Sequence, residues 1–286
     1  MIDYIKKPKL EADIILLDNY IHPQENEFTE RLKVNLISEE YCNQLLENYE
    51  RFDQEKDKLE CIKKSIEANQ YQMSDIYNMV AELCEKIKMD IPKIYIYDGD
   101  DYDITAEGLD YHWLETSNKL IEESSKNELR FMIARELCHI KFDHIKKRIL
   151  CKEFAKNVEV ASRIVTIPGC KSAGDQAYSI YLDRIKLIAA KWNRIAEYTA
   201  DRCAVVICDW DVKSAVTAIL KQTLNGEKLV NKMNISSYLK QADDIIDLTT
   251  IAAEYTRMTG FIPCGHFRVK EMISFVSSEN IRNIRI

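Results

Sequence analysis

Two short segments hold residue types that could grip a metal ion and move a proton. In the zinc motif H-E-x-x-H, two histidines one helical turn apart bind the ion, and the glutamate after the first polarises a metal-bound water. The segment Ala134-Arg135-Glu136-Leu137-Cys138-His139 reads Arg-Glu-x-x-His. Glu136 and His139 have the right spacing, and Arg135 stands where the first histidine belongs. An acid and a histidine three apart on a helix are by themselves usually a surface pair. The second segment, Ala196-Glu197-Tyr198-Thr199-Ala200-Asp201, puts two acids at i and i+4. A His₂Glu zinc site takes its third ligand from such a helix, and an acid one turn further on orients a ligand from behind.

Helices must carry both segments. Ser125-Lys-Asn-Glu128 has capping-box spacing and opens a helix predicted over residues 126 to about 147. Its apolar residues Leu129, Met132, Ile133, Leu137 and Ile140 form one broad face. A helix near 150–165, a loop at 167–174 and a long helical region from Gln176 to Cys208 follow, with Glu197 and Asp201 on the last. Asp209 to Leu224 reads as another helix, stopped by Asn225-Gly226. Upstream, Ser38 to Met89 reads as helices, Pro92 ends them, and Lys93-Ile-Tyr-Ile-Tyr97 alternates as a strand. A second strand is expected at about Leu109 to Glu115, with His112 on it.

The chain of 286 residues has room for a sizeable core, and its 46% hydrophobic and 30% charged residues are those of an ordinary globular protein. Only 7 glycines and 5 prolines favour long helices over a many-stranded sheet. The net charge of −7 argues against nucleic acid as a partner. Nine cysteines, an odd number without a C-x-x-C pair, exclude a disulfide framework and a thiolate zinc site. The N-terminus lacks the apolar run of a signal peptide. Tyr178 to Ile195 is broken by Asp183, Arg184, Lys186, Lys191 and Arg194, so no transmembrane segment is expected. A cytoplasmic protein with reduced thiols follows as the expectation.

The two motifs, taken with the rest of the first motif's helix and three further segments, resemble metallopeptidase family 48, the CAAX-prenyl-protease and heat-shock-protease branch of the gluzincins. Tyr95-Ile-Tyr-Asp98 is similar to the family's first strand, and Leu114-Glu-Thr-Ser-Asn-Lys-Leu-Ile121 to its edge strand and following helix. Asn127 to His144 is similar to its active-site helix almost throughout, and Phe267-Arg-Val-Lys-Glu-Met272 to its C-terminal segment. The likeness runs from about Ser74 to the end. It implies a mainly α fold with a small β-sheet (α+β, gluzincin-type), an N-terminal helical extension over 1–73 and a metallopeptidase-like domain over 74–286. It further implies Glu136 as general base, His139 and Glu197 as zinc ligands, and Asp201 as the acid that orients a ligand.

The chain departs from the family at Arg135, which replaces the first ligand. It departs again at Ile262, where the family has histidine before the retained Pro263, and at Cys138, where glycine is common. His266 lies four residues too late to take the histidine's part. Arginine offers no lone pair. At 4 Å it opposes a unit charge by roughly 4 kcal/mol at an effective dielectric of 20, and a divalent ion by about twice that. A site of about 10–16 kcal/mol does not survive both losses. His144, five residues after His139, would lie around 140° away on the same helix. His112 is the remaining candidate for a substitute ligand, and His22 and His266 read as loop residues.

Arg135 is therefore expected to replace the metal's charge among Glu136, Glu197 and Asp201 and to contact at least one of the last two, since one arginine can bridge two carboxylates. The zinc implied by the resemblance is expected to be absent or weakly bound. Two functions follow as alternatives: a degenerate peptidase that binds peptide or a protein partner, or a working zinc endopeptidase with an altered ligand set.

Overall fold

The computed structural model describes residues 15–35, 38–165, 173–247 and 264–278. After a 3₁₀ turn at Leu17–Tyr20, helices α1 (Glu25–Asn35) and α2 (Glu39–Asn48) form, and α2 runs through a π turn into α3 (Glu55–Lys64). Ser38 caps α2 by accepting from Tyr41 N. Strand β1 (Ser65–Ala68), helix α4 (Ser74–Lys86) and strands β2 (Lys93–Tyr97), β3 (Ile104–Glu107) and β4 (Trp113–Ser117) come next. Then follow α5 (Asn118–Glu123), α6 (Lys126–Lys141), α7 (His144–Val165), α8 (Ala173–Ile207), α9 (Val212–Leu224), α10 (Ile235–Asp247) and α11 (Gly265–Ser277).

The sheet order is β1-β2-β4-β3, with β2 and β4 parallel and the outer pairs antiparallel. The architecture is mainly helical with this one four-stranded sheet, the expected α+β class. Strand β2 lies where the alternation put it. The second strand lies later than expected, at Trp113–Ser117, and is preceded by β3. The turn between them needs Gly108, whose φ is +92° and where an added Cβ would meet the Tyr111 carbonyl. Residues 109–112 are thereby held in the turn. His112 belongs to it: its Nδ1 donates to Gly108 O at 2.9 Å. The region read as helices between Ser38 and Met89 also contains β1.

Strand β1 comes from before residue 74 and pairs with β2 from after it. Ile15, Leu17, Tyr49 and Ala68 share one apolar core with Leu83, Leu114 and Leu137. The boundary expected at 73/74 therefore does not coincide with a gap in the packing.

Ser125 and Glu128 form the expected capping box, but α6 ends at Lys141 rather than near residue 147. Asp143 has φ +55°, and the chain turns there before α7 starts at His144. Helix α6 packs along α8. The contact is lined by small side chains, Ala134 and Cys138 from α6 and Ala200, Cys203 and Ala204 from α8, all fully buried. Small residues let two helices approach closely, and that approach lets residues 135 and 139 reach 197 and 201. Among the described residues no helix is long and apolar enough to cross a membrane.

Candidate functional site

Arg135 and His139 lie one turn apart on α6 and face Glu197 and Asp201, one turn apart on α8. All four, with Glu136, are buried. The Arg135 guanidinium donates from Nη1 to Glu136 Oε1 at 2.8 Å and from Nη2 to Glu197 Oε2. Its Nε lies 3.3 Å from Asp201 Oδ1 but makes no hydrogen bond there, so that contact is an ion pair alone. One cation thus touches three carboxylates.

A second arginine completes the cluster. Arg148, on α7, donates from Nη2 to Glu197 Oε1 at 2.6 Å and from Nε to Asn193 Oδ1 at 2.7 Å. The same Nη2 lies 3.3 and 3.4 Å from the two ring nitrogens of His139. Asp201 is held by a third arginine: Arg268, on α11, donates from Nε to Oδ2 at 2.8 Å and from Nη2 to Oδ1 at 2.7 Å. With Glu136 ionised, three carboxylates face three guanidiniums. Burial would raise the Glu197 carboxyl, but the Arg135 and Arg148 guanidiniums hold it well below the usual range.

His139 is oriented from behind. Its Nδ1 lies 2.8 Å from His144 Nδ1, and His144 Nε2 lies 2.8 Å from Glu25 Oε1. Burial would raise Glu25, but its hydrogen bonds to His144 and Thr199 and the charge of Lys147 hold it below its ordinary value, so it is a carboxylate that only accepts. Burial also lowers both histidines, which are neutral. His144 then donates Nε2–H to Glu25, and its Nδ1 can only accept. His139 must donate Nδ1–H to it, which leaves the His139 Nε2 lone pair facing Glu197, whose Oε1 is 3.7 Å away. This is the relay that fixes the tautomer of a metal-binding imidazole. Here Arg148 Nη2 holds the carboxylate oxygen at 2.6 Å and lies 3.4 Å from His139 Nε2.

The donor set does not fit zinc. Of the two residues that the resemblance implies as ligands, Glu197 has both oxygens engaged by guanidiniums and His139 Nε2 lies 3.4 Å from one. Four N or O donors around a divalent ion are needed. Among the described residues no group of three or more His, Cys, Asp or Glu side chains is placed to hold a metal.

Glu136 Oε2 accepts from Ala106 N of edge strand β3 at 3.0 Å. Burial nevertheless pushes its carboxyl up to about 7 against the pull of Arg135. The folded protein then binds a proton that the unfolded chain has released above its ordinary value of about 4.3. Stability from this group is present below that value and is lost as pH rises through about 7. In Glu136→Gln, up to about 3 kcal/mol of the fall in stability between pH 5 and 8 should disappear, as read by urea denaturation across that range. An unchanged pH profile would contradict this assignment.

The structure brings together Arg135, Glu136, His139, Glu197 and Asp201, as the spacing anticipated, but Asp201 meets arginines rather than His139. The 140° separation assigned to His144 fails because α6 has ended before it, and the ring reaches back to His139. His22 sits in a turn, 3.5 Å from Glu271. His266 is on α11 rather than in a loop and bonds Gln241 at 2.6 Å. Ile262 and Pro263 lie outside the described residues. Sequence reasoning missed Glu25, Arg148 and the partner of Arg268. The i, i+4 spacing of His144 and Arg148 was the available signal for one of them.

The model of peptidase family M48 matches residues 114–241. Over 187 residues the chain is 26% identical to the plastoglobule-localized metallopeptidase 48, chloroplastic, of Arabidopsis thaliana, covering 64% of this chain and 50% of that one. It is 35% identical over 77 residues to a protease HtpX homolog of Bacteroides fragilis (strain YCH46), 26% of this chain and 24% of that one. The chain thus spans half or less of the length of these curated relatives. No solved structure matches. Over residues 114–241, the segment that carries Arg135, Glu136, His139, Glu197 and Asp201, the chain is similar to peptidase family M48.

Proposed function

We propose that this chain is a degenerate family M48 peptidase that keeps the scaffold, does not hydrolyse peptide bonds, and acts by binding a peptide or protein partner. The observation that carries the reading is the Arg135 guanidinium, buried on Glu136 and Glu197 where a zinc ligand belongs. A general base works on a bound water polarised by a cation. Here the base is itself an acceptor in an ion-pair network, with its second oxygen on Ala106 N. Among the described residues the rival reading, an active enzyme with an altered ligand set, lacks a donor to draw on. His112 is tied to its own turn, and His144 is engaged by His139 and Glu25. A cytoplasmic, reducing setting belongs to the same proposal and is supported by the unpaired cysteines among the described residues.

The test is proteolysis of a casein-type substrate with added zinc and with chelator. The expected result is no cleavage above the buffer control in either. Cleavage by the purified chain that chelator abolishes and zinc restores would overturn the reading.

A further inference from the structure

We infer that Arg135 and Arg148 act as a pair in place of a divalent cation, so that Arg148 is a second barrier to metal binding and repair of Arg135 alone leaves the site closed. The inference rests on the degenerate-peptidase reading and extends it to a residue outside both motifs. It follows from which atoms each arginine occupies. Arg135 takes Glu197 Oε2, through Nη2. Arg148 Nη2 takes Glu197 Oε1 at 2.6 Å and stands 3.4 Å from His139 Nε2. These last two atoms are the ones that two retained ligands would turn toward a metal. The two unit charges balance Glu136 and Glu197, Asp201 being served by Arg268, so a metal added beside Arg148 would make the site electropositive.

Arg148 is free to do this without help from Arg135. Its Nε is anchored on Asn193 Oδ1 at 2.7 Å, and it enters from α7 rather than α6. His139 is meanwhile already in the tautomer a metal needs, held by His144 and Glu25. Removal of both arginines, with an imidazole introduced at position 135, would leave His₂Glu and room for water.

The experiment is zinc titration of four full-length proteins: natural, Arg135→His, Arg148→Gln, and the double variant R135H/R148Q. Bound zinc is read by elemental analysis after gel filtration and by the zinc-dependent shift in melting temperature. The double variant should bind about one zinc per chain, at least about 100-fold more tightly than R135H, because a neighbouring unit charge opposes a divalent ion strongly. R148Q should bind none. If the double variant folds only when zinc is present, that outcome supports the inference, since the site's binding energy is then folding energy. Failure to fold with zinc, or R135H binding zinc as tightly as the double variant within about threefold, would overturn it. Stoichiometric zinc in the natural protein would instead overturn the degenerate-peptidase reading on which it rests.

Discussion

Arg135→Met is expected to destabilise the protein by about 3–5 kcal/mol in urea or guanidinium unfolding, a large part of the stability of a typical domain. Methionine fills much of the arginine's volume, so a cavity contributes little and the measurement reads the charge. The guanidinium is buried and touches Glu136, Glu197 and Asp201. Its loss leaves those acids unequally served. Asp201 keeps the bidentate Arg268, and Glu197 keeps Arg148. Glu136 keeps only the Ala106 amide, and a buried carboxylate without a cation is costly to hold. Glu136 can respond by taking up a proton, since its carboxyl already sits at about 7. The loss should therefore be smaller at pH 6 than at pH 8. A variant within 1 kcal/mol of the natural protein at both pH values would remove Arg135 from the structural role assigned to it; about 1 kcal/mol is what an exposed pair contributes.

Much of this site was legible in the sequence, because helical spacing is a local property. Positions 135, 136 and 139 share α6, positions 197 and 201 share α8, and the capping box at Ser125 marks where α6 begins. That opposite charges at 135 and 197 would meet follows from placing both helices on one core. The residues that were not legible come from where one element ends and another enters. Whether α6 stops at Lys141 or runs to 147 depends on Asp143 adopting φ +55°, for which no glycine or proline gave notice. With the break misplaced, His144 pointed away from the site, whereas both it and Arg148 point into it. Glu25 was invisible for a different reason. It is 119 residues from His144, and only the packing of α1 on α8 brings its carboxylate to that ring. The strand β3 was missed because four residues after a run of acids carry too little alternation. The Ala106 amide, which binds Glu136, was missed with it.

The zinc content of the natural protein is the second result with a large expected effect, and it reaches the central claim without any variant. A His₂Glu site holds zinc with a binding energy of the order of 10 kcal/mol, so an intact one survives purification. In this chain Glu197 is closed by Arg135 and Arg148, His139 Nε2 lies 3.4 Å from Arg148, and position 135 holds a cation. A competing ion would have to displace two guanidiniums and still find a third protein donor. Elemental analysis of protein purified without a metal-affinity step should give less than about 0.1 zinc per chain, before and after incubation with equimolar zinc and gel filtration. Close to one zinc per chain, removed by chelator with a fall in melting temperature, would contradict the account that arginines stand where the metal once did.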